Sequence, residues 1–138
     1  MFKIVQWSVL VVNKMKPLTK LSSRALLERF DAARDSEVRE IKTIGPTSFK
    51  IELSVQDSNR GYDWINIAFE IDGVTDALLV EDTKLKFLDL SEGISIVFEN
   101  NKVGLSNSNC DSLSKTVESQ LYLIGVSIKY EELPFREA

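Results

Sequence analysis

The feature that most constrains this chain is a pair of alternating segments separated by a few polar residues. In "SFKIELSVQD", Phe49, Ile51, Leu53 and Val55 fall on one parity and Lys50, Glu52, Ser54 and Gln56 on the other. In "YDWINIAFEIDGV", Ile65, Ile67, Phe69 and Ile71 alternate with Tyr62, Trp64, Asn66, Ala68, Glu70 and Asp72. Successive side chains of a strand point to opposite faces, so each segment predicts a half-buried strand. The short glycine-bearing loop between them predicts an antiparallel hairpin. Its Asp, Ser, Asn and Gly residues are types whose backbones accept turn geometry.

Around this hairpin the remaining pattern is one helix and more strands. Leu26, Leu27, Phe30 and Ala33 fall at helical spacing, which predicts an amphipathic helix over about residues 23–33 with Ser22 or Ser23 as its N-cap. "KLKFLDL" predicts a strand. "GISIVFENNKVGLS" predicts a second hairpin, with Ile94, Ile96 and Phe98 inward, Val103 and Leu105 after the turn, and Asn100 and Asn101 within it. Asparagine tolerates the positive φ of a tight hairpin turn. "LYLIGVSIKYEEL" predicts one long strand with Tyr122, Ile124, Val126, Ile128 and Tyr130 on a face, and Gly125 marks a bulge or a close contact. The expected fold is α+β: a single domain over residues 1–138, with one N-terminal helix packed on a mostly antiparallel sheet. Residues 4–12 are apolar apart from Gln6 and Ser8. That run is far shorter than the roughly 20 residues of a membrane helix. No small-residue cleavage site follows it, so it is expected as an edge strand and neither as an export signal nor as a membrane span.

At 138 residues, folding buries roughly 68% of the surface of the unfolded chain, enough for one self-sufficient core. Seventeen basic residues face 21 acidic ones, a net charge of −4. Without clustered Lys and Arg to meet phosphates, nucleic acid is not an expected partner, whereas a basic protein would be steered towards the chain. There is no histidine, which removes Ser-His-Asp and Cys-His catalysis and His-bearing zinc sites. The single cysteine, Cys110, can form no internal disulfide, as suits a reducing compartment, and reads as an incidental loop thiol. The spacing of Asp57, Asn59, Gly61 and Asp63 invites comparison with a calcium loop. A loop of that type needs glycine at its sixth position and glutamate at its twelfth, where this chain has Tyr62 and Ala68. Glu70 and Asp72, two apart on one strand face, read as solvated charge in preference to a catalytic pair. No catalytic residue, cofactor or metal is expected.

The residue that stands out is Trp64. Its parity sets it with Tyr62 on the polar face of the strand, and aromatic residues ringed by charge are the mixture of a protein-binding hot spot. The expected partner-binding set is Asp57, Arg60, Tyr62, Asp63, Trp64, Glu70 and Asp72. Asp57, Asp63 and Asp72, with Asp76, Glu81 and Asp82, would form an acidic rim. Against this stands plain burial, with the helix or the N-terminal strand covering Trp64 as part of the core.

"FDAARDSEVREI", followed about ten residues later by an alternating strand and then by "INIAFEIDGV", resembles the small single-domain immunity proteins found beside bacterial polymorphic and contact-dependent toxins. Asp35, Ser36 and Glu37 match the step that leads into the first strand of that group, with Arg34 where a histidine often stands. Phe69, Gly73 and Val74 match the end of its later strand. The resemblance spans residues 26–98 and carries no contact residue across, because each such protein is matched to its own toxin. It implies a non-catalytic binding protein, made in the cytoplasm, that neutralises a cognate and often basic toxin. The alternative is a homo-oligomeric structural or small-ligand-binding module, a homodimer for instance, that buries the same aromatic face.

Overall fold

The computed structural model describes residues 15–136, and the apolar run at 4–12 lies outside them. In chain order these residues form β1 (Lys16–Pro17), α1 (Lys20–Arg29), β2 (Glu37–Thr43), β3 (Phe49–Asp57), β4 (Asp63–Asp72), β5 (Asp76–Leu78), β6 (Ser95–Glu99), β7 (Lys102–Ser106), α2 (Leu113–Thr116), β8 (Tyr122–Gly125) and β9 (Ser127–Leu133). The class is α+β. Among the described residues the nine strands make two antiparallel sheets, ordered β1-β9-β4-β3-β2 and β5-β8-β7-β6, in place of the one sheet expected.

The hairpin that opened the argument is the centre of the first sheet. Ile51 pairs with Phe69, Leu53 with Ile67 and Val55 with Ile65. These six residues are buried in one cluster with Leu26 and Phe30 from the helical region and Val103, Leu105 and Leu123 from the second sheet. Both sheets and the helix thus share a single core. Opposite parity gives the outer face of the first sheet, where Glu52 pairs with Ala68, Ser54 with Asn66 and Gln56 with Trp64.

The helix starts earlier and stops earlier than its apolar spacing predicts. Thr19, not Ser22 or Ser23, is the N-cap, because Thr19 and Ser22 exchange side-chain hydrogen bonds with each other's backbone N–H. At the other end Asp31, Ala32 and Ala33 turn left-handed, with φ of 53°, 55° and 60°, and Asp35 follows at 57°. Left-handed backbone costs an L-residue roughly 1–2 kcal/mol, so tertiary contacts must hold it. They do: Ile94 N–H donates to the Ala32 carbonyl (2.7 Å), Asp35 N–H donates to the Leu90 carbonyl (2.9 Å), and Phe30 and Ala33 are buried. Gly93 completes this junction. It has φ +77°, and a Cβ there would lie 2.1 Å from the Ala32 carbonyl oxygen.

Two strand expectations are corrected. "KLKFLDL" is not a strand: residues 82–87 form a 3-10 helix, Asp82–Phe87, burying Leu85, with Leu88 half-buried three residues later and Phe87 exposed. Spacing of three serves a 3-10 turn, so a short apolar run was compatible with either period. "LYLIGVSIKYEEL" is two strands in different sheets, β8 and β9, separated at Val126, which is 62% exposed. Of the bulge or close contact expected at Gly125, the structure shows the close contact, since a Cβ there would lie 2.6 Å from the Asp72 carbonyl oxygen of the first sheet. The second hairpin turn falls where expected, with Asn100 and Asn101 at φ 52° and 61°.

Gly93→Ala is expected to lower stability by more than about 2 kcal/mol, since it adds a clash to a positive φ. Gly45→Ala, whose new Cβ meets only Ser48 atoms at 3.6 Å and beyond, is the control and should stay within about 0.5 kcal/mol. Denaturant unfolding of the two variants checks both.

Candidate functional site

The loop between β3 and β4 is a turn of 3-10 helix, Ser58–Arg60, closed by a hydrogen bond from Tyr62 N–H to the Asp57 carbonyl (2.8 Å). Gly61 and Tyr62 both take positive φ, 65° and 68°, which swings the chain back into β4. Asp57 does not belong to any contact surface. Its parity is that of Leu53 and Val55, it is fully buried, and its side chain caps Asn59 N–H (2.9 Å). Both carboxylate oxygens accept from Arg29 of α1, from Nε at 2.8 Å and from Nη2 at 2.6 Å. Arg29 also bonds Glu132 of β9, and Arg60 approaches Asp57 at 3.4 Å. The Arg29 hydrogen bonds, outweighing burial, hold the Asp57 carboxyl below its ordinary range, and Asp57 and Glu132 raise the Arg29 guanidinium.

The expected acidic rim therefore does not assemble. Asp57 is inside; Asp72 accepts from Ser48 Oγ (2.7 Å) and, with Glu70, faces Lys129 at 3.5 Å; Asp76 accepts from the Tyr122 hydroxyl (2.9 Å). Arg60, Tyr62, Asp63 and Trp64 do come together as an exposed cluster at the loop and the first residues of β4. Tyr62 is 65% and Trp64 40% exposed, so neither the helix nor an N-terminal strand among the described residues covers that face.

What lies beside Trp64 is the chain after β9, which sequence reasoning missed. Residues 134–136 cross the outer face of the first sheet. Phe135 packs on Trp64 with ring centroids 6.2 Å apart, and the Arg39 guanidinium sits over the Phe135 ring, 6.0 Å from its centroid. One residue on, Arg136 Nη2 donates to both oxygens of Glu52, at 2.8 and 2.7 Å. Glu52 anchors a polar line through the sheet face: Asn66 Nδ2 donates to Glu52 Oε2 (2.6 Å), Ser54 Oγ to Asn66 Oδ1 (2.8 Å), and Arg39 Nε to Ser54 Oγ (2.8 Å). Glu52, Ser54 and Asn66 are all buried. Burial pushes the Glu52 carboxyl up, but the hydrogen bonds of Asn66 and Arg136 outweigh it and hold the group below its usual range. The signal that could have found this line was the hairpin register, which sets Glu52 opposite Ala68 and Ser54 opposite Asn66 once the loop length is known.

Among the described residues no group of three or more His, Cys, Asp or Glu side chains is arranged to hold a metal ion, and no helix is long and apolar enough to cross a membrane. Cys110 is a free, half-buried thiol among serines, with Ser108 Oγ at 3.4 Å and Ser106 Oγ at 3.6 Å. Comparison with protein-family models, curated proteins and solved structures finds no match.

Removing one partner of a buried ion pair leaves the other uncompensated, so Arg29→Met is expected to cost about 3 kcal/mol. The depressed Asp57 value means that the native state binds its proton less readily than the unfolded chain. The pair's contribution is therefore complete above the ordinary aspartate range near 3.8 and lost as pH falls below it through the folded value. Chemical denaturation from pH 6 down to pH 2 should show a shallower loss of stability for Asp57→Asn than for the natural chain, about a lower starting value.

Proposed function

We propose that the protein is a non-catalytic inhibitor that binds a cognate toxin domain in the cytoplasm, through the outer face of the β3–β4 hairpin. The observation that carries the reading is the exposed aromatic group at one end of that face: Tyr62, Trp64 and Phe135, which is 39% exposed, with Arg39 beside them. Tryptophan, tyrosine and arginine are the residues that dominate binding energy at protein interfaces. The net charge of −4 favours a basic partner by steering encounter, and the resemblance to immunity proteins points to the same kind of molecule.

The contact set of this proposal is Arg60, Tyr62, Asp63 and Trp64, extended to Phe135. Glu70 and Asp72 lie further along β4 and contribute through their charge. Asp57 is left out, being buried under Arg29.

Tagged protein used as bait in its source cells should recover one stoichiometric protein whose toxic activity falls to zero at a one-to-one ratio with the inhibitor. Trp64→Ala should weaken that complex by about 2 kcal/mol, roughly thirtyfold, with little change in melting temperature. Recovery of nothing but copies of this chain would favour the oligomeric module. A collapse of the melting temperature on Trp64→Ala would mean that the indole is structural and would remove it from the interface.

A further inference from the structure

The outer face of the first sheet sets like charges opposite one another, with Lys42 Nζ 3.5 Å from Glu40 to offset part of the acidic row. Strand register sets Glu40 directly opposite Glu52, and Lys42 directly opposite Lys50. Like charges opposite one another across a strand pair are destabilising. Continuing the acidic row across the sheet, Glu52 faces Ala68, and Ala68 faces Glu131 of β9. Two carboxylates thus flank one methyl side chain, with Glu40 beyond Glu52, and Glu40, Glu52 and Glu131 line a cleft of about 420 Å³ together with Lys42, Lys50 and Arg136.

Its occupant is the chain's own Arg136, and the fit is partial. The Glu52 side chain is only 9% exposed, whereas the Arg136 side chain that caps it is 64% exposed and follows the last described strand, β9. Among the contacts of the described residues Nη2 alone reaches the carboxylate, bridging both oxygens. The two-pronged pairing that a guanidinium can make with a carboxylate is left unmade. On the receptor side Asn66, Ser54 and Arg39 are already locked in their hydrogen-bonded line, so the carboxylate is held ready. A buried, pre-oriented acid whose cation comes from an exposed segment outside the strands is a receptor with a tethered, replaceable ligand.

We propose that this cleft is the arginine subsite of the interface, and that a partner inserts an arginine, preceded by an aromatic residue that stacks on Trp64, by displacing Phe135 and Arg136. The inference deepens the binding reading above and rests on it. The C-terminal Phe-Arg pair mimics the partner segment: Phe135 holds the place on Trp64 and Arg136 the place on Glu52. Around the guanidinium three acidic side chains outnumber the two lysines, Lys42 and Lys50, so with Arg136 displaced the cleft still favours a cation, and a basic protein loop supplies one.

The test uses the full chain and an acetylated peptide with its own residues 133–138, Leu-Pro-Phe-Arg-Glu-Ala. Arg136→Ala empties the cleft. That variant should bind the peptide about tenfold more tightly than the natural chain does, the factor expected of a tail closed about nine-tenths of the time. The Asn66 side-chain amide and the Trp64 indole should shift in NMR spectra as it binds. Binding should vanish with a peptide in which Arg is replaced by Ala, and with Glu52→Gln added to Arg136→Ala. Absence of binding to folded Arg136→Ala, or binding indifferent to Glu52→Gln, overturns the proposal. If Arg136→Ala does not fold, Arg136→Gln, which keeps the side chain's bulk without its charge, carries the same comparison. A captured partner should likewise bind Arg136→Ala more tightly than the natural chain, and an unchanged affinity overturns the subsite while leaving the inhibitor reading standing. Peptide binding with no partner captured supports the cleft and removes the inhibitor reading.

Discussion

Two carboxylates on one strand, buried on opposite faces of the sheet, organise this molecule. Asp57 shares the inward parity of Leu53 and Val55, and Glu52 shares the outward parity of Ser54. Neither can remain ionised away from water without a cation and hydrogen bonds. Each is met by an arginine from a distant part of the chain, Asp57 by Arg29 before the hairpin and Glu52 by Arg136 after it. The β3–β4 hairpin is therefore held from both sides by residues whose spacing in sequence gives no hint of their meeting. The two pairs differ in kind. Arg29 is 20% exposed and also reaches Glu132, so it clamps α1 to two strands at once. Arg136 is mostly in water, and an exposed cation can be exchanged for another at little loss.

How much of this could be read in advance follows from the range of each interaction. The hairpin, its inward and outward sets and the Asn100–Asn101 turn were legible because a strand's parity and a turn's backbone preference are local. The N-cap was missed by three residues because "TKLSS" offers several hydroxyls, and only the reciprocal bonds of Thr19 and Ser22 choose between them. The stretch ending in Leu90 was misread because three or four apolar residues fit a strand and a 3-10 turn alike. The division of the last long segment at Val126 depended on Gly125 lying against Asp72, a contact between sheets. At the site the same rule holds. Trp64 and Tyr62 were placed on the outer face by parity, while the burial of Asp57 and the arrival of residues 134–136 needed tertiary structure.

The outer face also shows why a sheet can carry both stability and recognition. Its polar line, Arg39 to Ser54 to Asn66 to Glu52, leaves no buried side-chain polar atom without a partner among the described residues. A satisfied network of this sort is rigid, since moving one member breaks the bonds of the next. Rigidity fixes where the Glu52 oxygens point, so a ligand meeting them need not pay to order them. Two acids of this face are each met by a cation, Glu40 by Lys42 Nζ at 3.5 Å and Glu52 by Arg136 at 2.7 Å. Together they describe a surface stable in its hydrogen bonds, whose buried acid Glu52 depends on an exposed cation.

That combination explains the position of the tail. Phe135 and Arg136 are adjacent in sequence, and their two contacts, Trp64 and Glu52, lie on neighbouring strands of the same face. One short segment therefore covers both the aromatic anchor and the acidic cleft, and lifting it uncovers both. A covering segment keeps the indole from standing alone as an exposed apolar surface and keeps the acidic row neutralised, which lowers the energy of the free protein. On the proposal that a ligand enters by displacing this segment, the segment's hold subtracts from affinity and discriminates against any ligand that offers only one of the two contacts. An aromatic residue without an arginine, or an arginine without an aromatic residue, recovers half of what the tail gives up. On that proposal, specificity resides in the pairing of two adjacent side chains, not in either anchor alone.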